Sequence, residues 1–192
     1  MQKELVKALE RYPVFNAGDI AGVLGKDKKY AYIVAHRLKK AGVIKEIEKG
    51  KYTMENDPFI VGSWIVWPSY ISGWAALNYH KLTEQLPFTI HIVTTRKRKR
   101  KVIRFGNARI EFIMLKKEAF CGFQRVIYQG REIFIAEKEK AIVDALMAKK
   151  MSLSEATELI KSNPGKINRK KVFYYAGKSK RLIKQLRGAM DN

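Results

Sequence analysis

The sequence has few of the residues on which most catalytic and metal sites depend. Only one cysteine, Cys121, occurs among 192 residues, so no intramolecular disulfide can form and a reduced, cytoplasmic setting is expected. The three histidines lie far apart without metal-ligand spacing, and neither a Walker-type nor a GxGxxG phosphate loop is present. These absences predict a protein that is not an enzyme, with no catalytic residues, no metal and no cofactor.

Acidic residues are scarce as well. The chain has 18 Asp and Glu against 39 Lys and Arg, which gives a net charge of +21 and an isoelectric point near 10.0. Such an excess of positive charge indicates a polyanionic partner, which leaves DNA, RNA and an anionic membrane surface as alternatives. Residues 1–55 carry +5 of this charge and residues 56–192 carry +16, so both parts of the chain are basic.

One uncharged stretch, residues 58–80, is nominally long enough to span a bilayer. Pro68 interrupts it, and Ser69 after the proline is a plausible helix cap. The stretch therefore predicts a strand over residues 60–67 and then a helix from Pro68 to about Tyr79, within a soluble core. No membrane partner is expected.

The first part of the chain predicts three short helices followed by a hairpin. Asn16 is expected to cap the second helix and Gly25 to end it, while Gly42 closes the third and Lys49-Gly50 forms the hairpin turn. This order is typical of a winged helix-turn-helix domain, here assigned to residues 1–57. The alternative is a small helical interaction domain whose lysines are merely solvated.

The third predicted helix separates an apolar face from a basic one. Its apolar positions repeat at helical spacing: Ala31, Val34, Ala35 and Leu38. The opposite face supplies the candidate contacts to double-stranded DNA, with base contacts expected from Lys28, Lys29, Tyr32 and His36. Phosphate contacts are expected from Arg37 and Lys40 on the helix and from Lys49 and Lys51 on the hairpin.

Residues 58–192 predict a second domain of mixed strands and helices, so the fold class is α+β. After residues 60–67, strand-like runs occupy residues 88–95, 102–106, 108–115, 125–130 and 131–136. Helical patterns then cover residues 137–150, 152–162, 168–177 and 179–190, and Ser152 and Glu155 have the spacing of a capping box. This domain is an α/β arrangement leading into a C-terminal helical group.

Six consecutive basic residues connect two of the predicted strands: Arg96, Lys97, Arg98, Lys99, Arg100 and Lys101. Like charges packed this closely resist burial, so they project into solvent or meet an anionic partner. We expect secondary contacts to DNA phosphates here, and a purely solvated loop is the alternative.

Three blocks of the chain together resemble the AbiEi-type antitoxin and transcriptional regulator family of type IV toxin-antitoxin systems. They are the "GVIKEIEKGKYTM" hairpin, "WPSYISGWAALNYHKLTEQLPFTIHIVTTRKRKR" at residues 67–100 and "IAEKEKAIVDAL" at residues 135–146. The resemblance covers nearly the whole chain. It implies an N-terminal winged helix that binds and represses its own promoter, with DNA contacts in residues 28–41. It also implies a C-terminal antitoxin domain that neutralises a nucleotidyltransferase-like toxin without a stable complex.

Two hypotheses of other classes remain open. The basic C-terminal domain also suits an RNA-binding accessory protein. An enzyme acting on nucleic acid would need an acidic centre, for which Asp144 in the apolar stretch "AIVDAL" is the one candidate, although buried carboxylates more often pair locally.

Overall fold

The fold is α+β in the computed structural model of the protein, which describes residues 2–84, 87–177 and 179–190. Backbone contacts divide the chain into two compact units, Met1–Ile65 and Val66–Asn192. This division falls later in the chain than the boundary expected between residues 57 and 58, because a helix over Pro58–Trp64 belongs to the first unit. Within the described residues, no helix is both long and apolar enough to cross a bilayer.

The first unit combines short helices with a small antiparallel sheet of strand order β1-β3-β2. Its elements are α1 (Gln2–Leu9), β1 (Phe15–Asn16), α2 (Ala17–Leu24), α3 (Lys28–Lys40), β2 (Lys45–Glu48), β3 (Lys51–Thr53) and α4 (Pro58–Trp64). The three helices and the β2–β3 hairpin follow the predicted order. The short strand β1, which pairs Phe15 with Tyr52, was not predicted.

Local capping chemistry fixes both ends of α2. The side chain of Asn16 accepts hydrogen bonds from the backbone N–H groups of Gly18 and Asp19, at 2.6 and 3.3 Å, and the Asp19 carboxylate accepts from the Asn16 N–H at 2.7 Å. Gly25 ends the helix at a φ of 62°, a conformation that glycine adopts without steric cost. The predicted cap and the predicted end of this helix are therefore confirmed.

The core of the first unit lies between α1, α2, α3 and the sheet. Its buried residues are Leu5, Leu9, Phe15, Ala17, Ile20, Ala21, Ala31, Ala35, Leu38, Ile44 and Tyr52. Alanines at the contact between α2 and α3 allow the two helices to approach closely, while the larger side chains fill the space toward the sheet. This packing fixes which face of α3 remains exposed.

The second unit is a mixed sheet with helices packed against it. Its elements are β4 (Ser69–Ser72), α5 (Gly73–Tyr79), β5 (Thr89–Thr94), β6 (Val102–Phe105), β7 (Ala108–Met114), β8 (Phe123–Tyr128), β9 (Arg131–Ala136), α6 (Lys138–Met147), α7 (Leu153–Ser162), α8 (Arg169–Ala176) and α9 (Lys180–Met190). The strand order is β6-β7-β5-β4-β9-β8, with parallel pairs β5–β7 and β4–β9 and antiparallel neighbours elsewhere.

The predictions for residues 58–80 were partly wrong. Residues 60–67 were expected to be a strand, but the helix α4 covers Pro58–Trp64, because Asp57 accepts a hydrogen bond from the Phe59 N–H at 2.7 Å and Pro58 suits the first helical turn. Ser69 was expected to begin a helix, but it begins the strand β4, which pairs with β5 on one side and β9 on the other. Strand pairing inside the sheet overrides the local capping signal.

The rest of the second unit follows the sequence closely. The predicted strands from residue 88 to residue 136 correspond to β5–β9, and the four predicted C-terminal helices correspond to α6–α9. The predicted capping box is present, because the Ser152 hydroxyl accepts from the Glu155 N–H at 3.1 Å and the Glu155 carboxylate accepts from the Ser152 N–H at 2.7 Å.

Candidate nucleic-acid interface

Packing of α3 leaves one row of basic and polar side chains facing outward. Its core residues Ala31, Ala35 and Leu38 are buried, so the opposite face of the helix is exposed. Lys29, His36 and Lys40 lie along that face at helical spacing and are all exposed. A row of this kind presents two ammonium groups and an imidazole to a partner that lies along the helix.

The other two predicted base contacts, Lys28 and Tyr32, lie in the first two turns of α3. Asp27 caps the helix by accepting a hydrogen bond from the Tyr30 N–H at 2.8 Å, which places Lys28 at the first helical position. Tyr32 is 54% exposed on the next turn, and Arg37 is exposed on the other flank of the row. All the residues predicted on this helix are thus accessible.

Sequence reasoning missed Ile33, which is 50% exposed on the same outward face. Its signal was available, since an isoleucine stands at a position that the helical period directs away from the core. An apolar side chain among basic ones is suited to contact with the methyl group of thymine in a major groove.

The two predicted hairpin contacts differ in their surroundings. Lys49 is exposed in the turn between β2 and β3. Lys51, by contrast, is half-buried; its ammonium donates to the backbone carbonyl of Ile65 at 2.6 Å and forms an ion pair with Glu48 at 3.0 Å. Lys51 therefore helps to hold the C-terminal end of α4, and fewer of its donors remain for a phosphate.

An ion pair fastens the hairpin to α3. Lys39, near the end of the helix, pairs with Glu46 on β2, and Glu46 also accepts a hydrogen bond from the Gly50 N–H at 3.3 Å in the hairpin turn. The hydrogen bond from Lys39 lowers the pKa of Glu46, and the same bond raises the pKa of Lys39. The Glu46 side chain therefore contacts both α3 and the hairpin turn that carries Lys49.

The six-residue basic run forms the connection between β5 and β6, as expected from the sequence. These two strands lie on either side of β7, so the connection crosses the end of that strand. Two of its arginines turn back onto the sheet: Arg96 Nε donates to the Trp67 carbonyl at 3.3 Å, and the Arg98 guanidinium lies 4.0 Å from the centre of the Phe112 ring. Lys97, Lys99, Arg100 and Lys101 are exposed.

The predicted contacts therefore form two groups on different units, one on α3 and the hairpin and the other on the loop at residues 96–101. Each group is basic and accessible, apart from the half-buried Lys51 and Arg98. Such side chains bind phosphates by charge, and only the group on α3 combines charge with polar and apolar side chains that can distinguish bases.

Asp144 lies in a buried polar cluster and not in an open cleft. Its carboxylate accepts hydrogen bonds from Lys140 at 2.6 Å and from the hydroxyls of Tyr70 and Ser72, both at 2.9 Å. Burial raises the pKa of Asp144, and the Lys140 ammonium is the largest influence that opposes the rise. In this arrangement the carboxylate serves as an acceptor that joins α6 to β4.

Groups of His, Cys, Asp and Glu that could hold a metal ion do not occur in the part of the chain that the structure describes. On α5, the Trp74 ring N–H donates to the Lys150 carbonyl at 3.1 Å, and the Asn78 side chain donates to the Thr83 carbonyl at 3.1 Å. These contacts give Trp74 and Asn78 a role in packing.

No protein-family model matches the chain, and no related protein is found among curated sequences.

Proposed function

We propose that the protein is a sequence-specific DNA-binding transcriptional regulator and that its first unit is a winged helix-turn-helix domain. The observation that carries the proposal is the outward face of α3, where Lys29, His36 and Lys40 stand in a row opposite a buried face. A helix of this kind fits the major groove, where its polar side chains meet base edges and its cations meet phosphates.

The hairpin supports the same proposal. In a winged helix the hairpin lies beside the recognition helix and contacts the DNA backbone. Here the ion pair between Lys39 and Glu46 fastens β2 to α3, and the turn carries the exposed Lys49. The helix and the hairpin also share the buried core of the first unit, so they present one continuous surface in the proposed complex.

The decisive experiment compares two DNA duplexes, the gene's own upstream region and a scrambled version, by fluorescence anisotropy at physiological salt. We expect the upstream duplex to bind tighter by a factor of about a thousand or more, as is typical of specific regulators. Equal affinity for both duplexes would contradict sequence-specific recognition.

Single variants locate the specificity. Tyr32→Ala and His36→Ala are each expected to weaken binding to the upstream duplex by about 1 to 3 kcal/mol while leaving the scrambled duplex nearly unaffected. Tyr174→Ala is the matched control, because Tyr174 is an exposed tyrosine on α8 in the other unit. If Tyr32→Ala and Tyr174→Ala changed the affinity for the upstream duplex equally, α3 would not be the helix that recognises the DNA sequence.

A second part of the proposal rests on the resemblance to AbiEi-type regulators. We propose that the protein represses its own promoter and counteracts a nucleotidyltransferase-like toxin through the second unit. Co-expression with the product of the neighbouring gene tests this part. We expect the protein to restore the growth of cells that express this product, and we expect the α3 variants to restore growth equally well. A neighbouring gene without a nucleotidyltransferase-like product would count against the antitoxin role and leave the regulator role intact.

A further inference from the structure

One end of the sheet in the second unit places an exposed tryptophan beside the basic loop, and duplex binding does not explain the tryptophan. Ser69 at the start of β4 pairs with Thr94 at the end of β5, and Thr94 pairs with Met114 at the end of β7. The residues just outside these positions therefore share one end of the sheet. They are Trp67, which precedes β4, and the basic loop at residues 96–101, which follows β5.

Trp67 is held in place and exposed at the same time. Its ring centre lies 5.2 Å from that of Phe134, which in turn contacts Phe123 at 6.0 Å, and Phe123 stacks on the buried Tyr70 at 4.5 Å. This aromatic cluster supports the tryptophan from the protein side, yet 64% of Trp67 remains accessible. Burying a tryptophan contributes more free energy than burying almost any other side chain, so a supported and exposed tryptophan is suited to stacking against a partner.

The cations of the loop lie beside this tryptophan. Arg96 Nε donates to the backbone carbonyl of Trp67 at 3.3 Å, which joins the loop directly to the aromatic residue. The sequence contains no Asp or Glu between Glu84 and Glu111, so no acidic side chain of the segment neutralises the loop. Met114, 61% exposed at the end of β7, adds a further apolar side chain at this end of the sheet.

We propose that Trp67 and the loop at residues 96–101 form a binding site for an unpaired nucleic-acid strand. The tryptophan stacks on a base and the lysines and arginines of the loop bind the flanking phosphates, a combination that single-strand binding sites use. In a duplex the base faces are already stacked on each other, so the tryptophan ring has nothing to cover there. The site goes beyond the proposed function, since it lies in the other unit and takes a different form of nucleic acid.

The test measures binding of the full chain to labelled oligo(dT) and oligo(U) strands of about 12 nucleotides and to a DNA hairpin with as many phosphates. Trp67→Ala is expected to weaken binding to the strands by about five- to a hundredfold and to leave hairpin binding within about twofold. Phe88→Ala is the matched control: Phe88 is 84% exposed and precedes Thr89, at the opposite end of β5. It should change neither affinity.

A conservative variant separates loss of stacking from loss of folding. Trp67→Phe keeps an aromatic ring beside Phe134 and should retain most of the strand affinity, while circular dichroism confirms that all variants are folded. Preference for oligo(U) over oligo(dT) would assign the site to RNA, and the reverse to single-stranded DNA.

Three results would overturn the proposal. One is a loss of strand affinity in Trp67→Ala no larger than that in Phe88→Ala. Another is an equal loss of affinity for the single-stranded oligonucleotides and for the DNA hairpin, which would mean that the tryptophan only supports general phosphate binding. The third is displacement of the labelled oligonucleotide by a lower charge concentration of poly-glutamate than of unlabelled oligo(dT) or oligo(U), which would favour an acidic protein segment as the occupant. None of these results would bear on the proposed recognition of the upstream duplex by α3.

Discussion

Asp144 and Lys140 form an ion pair that is almost entirely shielded from solvent. The pair is completed by hydrogen bonds from Tyr70 and Ser72 to Asp144 and by a hydrogen bond from Lys140 to the Ala119 carbonyl at 2.9 Å. Each partner thus compensates the burial of the other, and the cluster joins α6, β4 and the turn after β7. Removing one partner leaves a buried charge without compensation, which costs far more than an exposed ion pair contributes.

We predict that Asp144→Ala lowers the free energy of unfolding by about 3 to 5 kcal/mol. Urea denaturation measures the change. The control is Arg125→Ala, which breaks an exposed ion pair with Glu132 at 3.0 Å and should cost at most about 1 kcal/mol. Asp144→Leu combined with Lys140→Met should recover much of the loss, because it removes both charges. A loss in Asp144→Ala no larger than that in Arg125→Ala would contradict this account.

His91 is a second buried titratable residue. Its ring packs against Gly73, where an added Cβ would lie 2.9 Å from Nδ1, and this nitrogen has no hydrogen-bond partner within the described residues. Burial lowers the pKa of His91; Glu111, whose carboxylate is 3.9 Å from Nε2, opposes the shift, and Lys150 and Arg109 reinforce it. The folded protein therefore favours the neutral imidazole.

This shift predicts how stability depends on pH. The unfolded chain binds a proton at His91 near its ordinary pKa of about 6.5, whereas the folded chain does so only at lower pH. The unfolded state thus holds more protons in this window, and the free energy of unfolding should fall as the pH drops from about 6.5 toward 5. Urea titrations of wild type and His91→Asn across this range isolate the effect. An equally steep decline in both proteins would exclude His91 as its source.

At the scale of elements, two lysines of the β2–β3 hairpin that are only two positions apart differ in their contacts. Lys49 in the turn is exposed, and Lys51 is engaged with Ile65 and Glu48. We predict that Lys49→Ala reduces the salt dependence of DNA binding by about one phosphate contact and leaves stability unchanged. Lys51→Met should instead lower the free energy of unfolding by about 1 kcal/mol, because the Ile65 carbonyl loses a charged donor.

Salt titrations of binding and urea denaturation of the same two variants provide the check. Matched losses of salt dependence in Lys49→Ala and Lys51→Met would show that Lys51 leaves its intramolecular partners to reach the phosphates. Matched losses of stability would show that the turn lysine has a structural task as well.

How far elements could be predicted from the sequence depends on where their determinants lie. The helix between Asn16 and Gly25 was predicted correctly because both of its end signals are local. The segment at residues 60–72 was not, because β4 is a strand only through its pairing with β5 and β9, which no local pattern encodes. The contact between Arg96 and the Trp67 carbonyl was equally invisible, since it joins residues brought together by the sheet register.

The whole molecule carries its charge in both units, and this raises the question of whether nucleic-acid binding reflects total charge or particular surfaces. Every phosphate contact contributes about 0.9 to the slope of log affinity against log salt for duplex DNA. Charges that face away from the nucleic acid contribute little at physiological salt, where the screening length is about 8 Å. Two triple variants with the same net charge can therefore separate the two explanations.

We predict that Lys97→Ala, Lys99→Ala and Arg100→Ala together flatten the salt slope by up to about three contacts for upstream and scrambled duplex alike, leaving their affinity ratio unchanged. The control combines Lys180→Ala, Arg181→Ala and Lys184→Ala on α9, which removes three exposed charges elsewhere in the same unit. Its slope should stay close to that of the wild type. Identical slopes in the two triple variants would mean that the +21 net charge acts as a whole and that the loop is not a distinct contact.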